Sequence, residues 1–431
     1  MDSFVGKAYV VGVDMGYGHQ RAAFALQDIA EKKQIINASS YVGMPYSDKI
    51  IWQESRILYE IISRFKNVPV LGDFVFSVFD KFQEIKEFYP RNQGIDHPTL
   101  QLHQMYGLIE KKNWGRHLIE TLNGKRILPL VTTFPAIAFM AERWEYKGSI
   151  WIVVCDADVS RAWAPMRASQ SRIRYFVPTD IAGQRLARYG VPKHNIFLTG
   201  FPLPSALVLR AKESLAKRLR TLDPKGSYLK LYSDVVRRYV GEIPAQPKKI
   251  PACTITFAVG GAGAQEELGN SILKSVAPLI KEKKIKLNLV AGIRKDVVQF
   301  FEAAAKEQKL DSCLGTQFCI VYGKTFLEYF KKFNAILRTT DILWTKPSEM
   351  VFYAALGLPL IVSEPMGSQE IENRKWLLGI GGGVDQFEPV LTRYWLSDLR
   401  SNGRLAEAAM QGFVEIERDG VANIKNIIMN Q

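Results

Sequence analysis

The run "VVGVDMGYGHQRAAFAL", residues 10–26, passes from β-branched residues through Gly16, Tyr17, Gly18 and His19 into an alanine-rich stretch. Glycine lets backbone N–H groups approach a ligand, and a helix's first turn carries unsatisfied donors and partial positive charge. A histidine placed there is disfavoured as imidazolium by the helix dipole, so His19 is expected to be neutral and able to accept a proton. The structural alternative is a histidine that caps or packs at the helix start. A second glycine turn, "GGAGAQEE" (260–267), offers the backbone of Gly261, Ala262 and Gly263 in the same way, with phosphate as the natural guest. Neither turn is a standard nucleotide fingerprint. Arg21 stands where Gly-x-Gly-x-x-Gly wants its last glycine, and "YGKT" (322–325) has Phe318 where a P-loop begins. Those departures weigh against a nicotinamide dehydrogenase and an NTPase. Asp156 and Asp158, in "VVCDADVSRAW" (153–163), have two readings: carboxylates that orient His19 or contact an acceptor, or turn formers.

Chemistry of this kind needs elements to hold it. In the first half, "AYVVGVD" (8–14), "RILPLVTT" (126–133), "SIWIVVCD" (149–156), "RIRYFVPT" (172–179) and "NIFLTG" (195–200) read as short buried strands. Helical patterns such as "AIAFMAERW" (136–144) and "DIAGQRLARYG" (180–190) lie between them, the latter closing on glycine. After a Pro/Lys stretch, "EIPAQPKKIPA" (242–252), the alternation resumes with a strand running into a glycine-rich turn over 253–265 and with strands at 285–292, 317–323, 335–345 and 359–364. Strands separated by helices imply parallel sheets with crossovers, so two Rossmann-like domains are expected. Ligands then belong at the carboxyl ends of the strands, by default in a central cleft that the sheets face. The aromatic segment within 42–112, "FVFSVFDKFQEIKEFYP", reads as core packing or as an acceptor-side insertion.

A chain of 431 residues exceeds one ordinary core, and 47% hydrophobic with 23% charged residues is globular composition. The first residues lack a basic region before the apolar run, and no stretch approaches the roughly 20 apolar residues that span a bilayer. Four cysteines without Cys-x-x-Cys spacing suit free thiols, so a cytoplasmic setting is expected. The net charge of +14 has two readings: solvated helix faces, or attraction to a polyanion such as an anionic membrane surface, nucleotide phosphate or nucleic acid.

Several segments, in order, resemble the inverting GT-B glycosyltransferases of the group containing the peptidoglycan GlcNAc transferase, monogalactosyldiacylglycerol synthases and bacterial diacylglycerol glucosyltransferases. "GYGHQRAA" resembles the group's Gly-Gly-Gly-His-x-x-Ala-Ala, and "TTFPAIA" (132–138) its Thr-His-Pro segment with Phe134 in place of histidine. "VVCDADVSRAW" resembles its Thr-Asp with a downstream aromatic, here Trp163, and "VPTDIAGQRLARYGVPKHNIFLTGFPL" (177–203) the close of its N-terminal domain. "GGAGAQ", "VAGIRKD" (290–296) and "TKPSEMVFYAALGLPLIVSEPMGSQEIENRKWL" (345–377) resemble its donor-domain motifs. Only about 40–120 and 205–250 fall outside the match.

The resemblance implies a GT-B architecture: an acceptor-side domain over 1–205, a basic helical connection over 206–250, a nucleotide-sugar domain over 251–395, and C-terminal helices over 396–431 returning toward the first domain. It implies transfer of a hexose or N-acetylhexosamine from a nucleoside diphosphate sugar, most simply a UDP-sugar, to a hydroxyl on a lipid or glycan acceptor. His19 is then the base, Asp156 its orienting partner, and Asp158 and Trp163 acceptor contacts. Gly18, Gly261, Ala262 and Gly263, Arg294 and Ser348 would meet the diphosphate, while Gln369 and Glu370 would grip the donor sugar, with Asn373 a structural or secondary contact. Phosphate is neutralised in this scheme without a divalent ion, so neither metal nor cofactor is expected, although Asp156-Ala157-Asp158 matches Asp-x-Asp nominally. Nucleic acid is not an expected partner, whereas peripheral contact with an anionic membrane is compatible with the basic charge. One departure stands out. Where the group places a glutamate for the ribose hydroxyls this chain has Ala354, and it offers Glu349 earlier. The competing classes are a sugar-nucleotide epimerase or hydrolase on the same scaffold, and a non-catalytic nucleotide-sugar-binding or nucleic-acid-binding protein.

Overall fold

The computed structural model describes residues 7–65, 85–89, 97–243, 250–260 and 265–430. It contains two six-stranded parallel sheets. The first is built from β1 (Tyr9–Gly12), β2 (Ile36–Asn37), β3 (Leu130–Thr132), β4 (Ile150–Val153), β5 (Arg174–Val177) and β6 (Ile196–Leu198), in the order β2-β1-β3-β4-β5-β6. Helices cover both faces of such a sheet, so its strands are apolar without alternation, and β1 and β4 are buried at every position. The two-residue period of the pleat still sorts them. Tyr9, Val11, Ile152 and Tyr175 enter one core, while Val10, Val131, Trp151 and Phe176 enter the other. In the second core Trp151 and Phe176 stack with centroids 4.5 Å apart, and the helix Gly420–Met429 adds Ile424 and Ile428.

The second sheet comprises β7 (Cys253–Ala258), β8 (Ile285–Gly292), β9 (Phe318–Tyr322), β10 (Ile342–Thr345), β11 (Leu360–Val362) and β12 (Gly383–Asp385), ordered β12-β11-β10-β7-β8-β9. The run 335–345, expected as strand throughout, is instead the end of the helix Phe326–Leu337, a turn through Asp341, and β10. The very short strands β2 and β12 carried no recognisable pattern.

The chain divides into two compact units, one comprising Met1–Leu203, Met366–Asn373 and Asp419–Gln431, the other Pro204–Pro365 and Arg374–Arg418. The basic helices Ala211–Leu222 and Ser227–Val240 lie within the second unit, where both pack on the helix Arg404–Glu415. Much of the 42–112 aromatic stripe, part of the Pro/Lys stretch, and Gly261, Ala262 and Gly263 lie outside the described residues. Among the described residues no helix is long and apolar enough to cross a membrane.

Each sheet has one point where the strand order reverses. In the first, β2 lies on one side of β1 and β3 on the other; in the second, β8 and β10 flank β7. The carboxyl ends of β1 and β3, and those of β7 and β10, are therefore where a doubly wound sheet leaves room for a ligand.

Candidate functional site

Gly16 leaves β1 with φ 81° and ψ 167°, a conformation that disfavours any side chain, and caps the helix Tyr17–Ala25. His19 consequently sits in that helix's first turn, and Gly18 beside it is part of the helix. The Thr133 hydroxyl, just past β3, donates to the His19 carbonyl at 3.0 Å, tying the two strand ends together. A cavity of about 330 Å³ opens at this point, walled in part by His19, Phe134, Asp156, Trp163 and Gln369. The rest of its wall comes from the helices Tyr46–Phe65 and Leu100–Lys112 and from Met15, Trp114, Pro135, Ser160 and Ala162. Its volume falls within the usual range of small-molecule pockets.

Rings run along the wall. Trp52 lies 4.7 Å from Trp114 and 6.1 Å from Phe134, centroid to centroid. His19 meets Phe134 edge-on at 5.2 Å and Trp163 at 6.2 Å. Trp163, expected as an acceptor contact, is thus part of the cavity wall. Trp52, Trp114 and the methionine and leucine of the second helix were missed, because no spacing rule separates a pocket wall from a core stripe.

Asp156 and Asp158 have different surroundings. Asp156 faces the cavity, and its Oδ1 accepts a 2.9 Å hydrogen bond from Asn373 Nδ2. Asn373 is fully buried and also accepts from the Ala157 N–H at 2.7 Å, so it clamps the end of β4 and is not placed to grip a sugar. Asp158 is buried against Arg185, with Arg185 Nη2 donating at 2.6 Å and Nε at 3.0 Å. Burial pushes the Asp158 carboxyl up while the guanidinium opposes that push. Asp158 is therefore a structural ion pair, which corrects its expected acceptor role. The two carboxylates also have separate partners, so Asp-x-Asp does not present both at one point. Glu370 turns back to accept from the Met366 N–H at 2.9 Å, as a helix-start carboxylate does, while Gln369 reaches the cavity.

At the second switch point, a Cβ on Gly260 would meet Lys346 Cε at 3.1 Å, so glycine lets the lysine stem lie across the strand end. Lys346 follows β10 and was overlooked beside the more conspicuous Arg294. Arg294, at the start of the helix Lys295–Glu307, is paired with Asp296 through Nε at 3.0 Å and Nη2 at 2.5 Å. That guanidinium holds the Asp296 carboxyl down to about 2. Ser348 opens a 3₁₀ segment, Glu349–Leu356, with its N–H donated to the Lys346 carbonyl at 2.8 Å. Glu349 is buried. Ala354 is fully buried, and Gly412 approaches so closely that even a Cβ there would lie 2.7 Å from that of Ala354. A glutamate at 354 has no room, which explains the departure at this position by packing.

Two Rossmann-like parallel-sheet units with these switch points fit the GT-B fold. Residues 245–383 match the family model described as "Domain of unknown function (DUF6938)". A processive diacylglycerol beta-glucosyltransferase of Bacillus cereus is 24% identical over 277 residues, 63% of this chain and 60% of that protein. The corresponding Bacillus mycoides protein is 23% identical over 281 residues. The match thus spans about three fifths of these relatives' length. Among solved structures, the UDP-GlcNAc 2-epimerase of Neisseria meningitidis bound to UDP-GlcNAc superposes with a TM-score of 0.52 at 11% identity, over 99% of this chain and all of the other. That likeness is one of fold.

Proposed function

We propose that this protein is a metal-independent, inverting glycosyltransferase that moves a hexose or N-acetylhexosamine from a UDP-sugar to an acceptor hydroxyl held beside His19. The observation that carries the reading is His19 itself: an imidazole in the first turn after β1, opening into a cavity with Asp156 on the same wall. His19 takes the acceptor proton, the hydroxyl oxygen attacks the anomeric carbon, and the bond from that carbon to the diphosphate oxygen breaks with its electron pair going to UDP. Asp156, fixed by Asn373, stabilises the imidazolium that results. The first turn of a helix disfavours that cation, so a carboxylate nearby is a physical requirement. The diphosphate is assigned to the second switch point, where Lys346 supplies charge and Ser348 a polar group. Gln369 is assigned to the sugar. The curated relatives, named for glucosyl transfer to diacylglycerol, support transfer as the reaction class.

The superposition on a UDP-GlcNAc 2-epimerase leaves epimerisation or hydrolysis as the reading to test against. Incubation of the protein with UDP-glucose or UDP-GlcNAc, with and without acceptor, separates them. Transfer predicts a glycoside and UDP that appear only with acceptor. An isomeric sugar nucleotide, or free sugar and UDP without acceptor, would replace this reading with epimerisation or hydrolysis.

A further inference from the structure

If the protein is a transferase, the cavity beside His19 specifies its occupant more narrowly than "an acceptor hydroxyl". A cavity of about 150 Å³ with apolar walls holds a benzene ring. The roughly 330 Å³ here therefore has space for about two fused rings. The two long chains of a diacylglycerol exceed it. Part of its wall is a line of rings, Trp114, Trp52, Phe134, His19 and Trp163, each within 6.2 Å of the next, and polar side chains such as Ser55, Asp156, Ser160 and Gln369 complete it. Met105 and Leu108 extend the apolar surface. A free sugar brings a hydroxyl on nearly every carbon, and each one left unpaired against the rings costs about 1–3 kcal/mol. A planar apolar ring brings one or two, and stacks at the centroid separations that aromatic pairs favour.

We infer that the acceptor is a compact aromatic alcohol or phenol of one or two rings, whose ring fills the cavity and whose hydroxyl is presented to His19. In the transfer step the phenolic O–H bond breaks, its proton passes to His19, and the oxygen gains the bond to the anomeric carbon that UDP gives up. A phenol suits this arrangement, since its proton is far more acidic than that of a sugar hydroxyl.

The test uses the full chain with 2-naphthol as probe, methyl glucoside as the polar comparison, and phospholipid vesicles containing diacylglycerol as the lipid comparison. Tryptophan fluorescence reports binding, since three tryptophans line the cavity. Saturable quenching by 2-naphthol is expected, with none by methyl glucoside at equal concentration. Leu108→Trp, which fills the cavity, should weaken 2-naphthol at least tenfold; Gln104→Trp, at an exposed position on the same wall, gives the same readout should the first variant fold poorly. With UDP-glucose and UDP-GlcNAc, a naphthyl glycoside should form, and His19→Ala should abolish it. Glycoside on methyl glucoside or on diacylglycerol, with none on 2-naphthol, overturns the acceptor class and leaves the transferase reading standing. Binding of 2-naphthol in the cavity with no glycoside from any acceptor overturns the transferase reading. Quenching that neither cavity-filling variant reduces overturns the site.

Discussion

The carboxyl ends of β1 and β3 are crowded with rings, whereas those of β7 and β10 are stripped to glycine crossed by a lysine stem. Both are switch points of doubly wound sheets, and the topology alone treats them alike. Their side chains divide the labour. An apolar, ring-lined hollow favours a neutral organic molecule and a proton acceptor whose charge state a dry environment can control. A glycine strand end with a lysine stem laid across it favours phosphate, which wants positive charge at close range. Two switch points that the topology treats alike are thus distinguished by residue choice at a handful of positions.

The sharpest way to break this division is at His19. Replacement by alanine should cut turnover by about 10²–10⁴-fold, the usual contribution of a general base, with the nucleotide-sugar KM nearly unchanged. Steady-state kinetics decides it; a variant that keeps wild-type kcat removes His19 from the chemistry and leaves the first opening as a binding pocket only.

Next in size is the contrast between the two aspartates at the end of β4. Asp158→Ala strands the Arg185 guanidinium in the core and should cost about 3–5 kcal/mol in urea denaturation. Asp156→Ala removes one partly buried hydrogen bond and should cost about 1 kcal/mol while lowering kcat about tenfold. Equal stability losses would mean that the separation of structural from functional carboxylate is misplaced.

Those two residues also mark how far the sequence is legible. Strand identity and the glycine-to-helix turn before His19 are local facts, carried by apolar runs and by the one residue type that tolerates Gly16's backbone. What Asp158 does depends on Arg185, 27 residues on, and spacing contains nothing to say that the two meet. Arg294 looked like an available cation because Asp296 reads as an ordinary helix-start acid. Only side-chain geometry shows them paired, and only the stem lying on Gly260 brings Lys346 forward. The cavity wall was the least legible part. Trp52 and Trp114 lie 62 residues apart with no shared motif, and a ring bound for a pocket looks like a ring bound for a core.

The second opening is tested more gently. Lys346→Ala should raise the nucleotide-sugar KM about tenfold, equivalent to about 1.4 kcal/mol, and leave 2-naphthol binding untouched. Arg294→Ala should do less, because its charge is already shared with Asp296. A reversed order of effects would make Arg294 the phosphate cation, exchanging Asp296 for the ligand on binding.

The smallest expected effect separates stability from function within the second unit. Asp341, just before β10, accepts from the Thr254 N–H at 2.8 Å, and burial pushes its carboxyl from the ordinary 3.8 up to about 6, with Arg218 and Arg400 opposing. A shift of that size is worth about 3 kcal/mol for a group wholly out of water, and solvent access to this half-buried residue reduces it to about 1 kcal/mol. The folded state binds this proton more tightly than the unfolded chain. The associated stability is therefore complete below about pH 4, is lost as pH rises to about 6, and stays lost above. Asp341→Asn keeps an acceptor for Thr254 and removes the titration. Its melting temperature relative to the parent should climb between pH 4 and 6 and then level off. Because Asp341 lies at the amino end of its strand, opposite the opening with Lys346, the nucleotide-sugar KM should not change. A KM that moved with it would show that the strand end and the phosphate site are coupled, and that the second opening is less rigid than its bare backbone suggests.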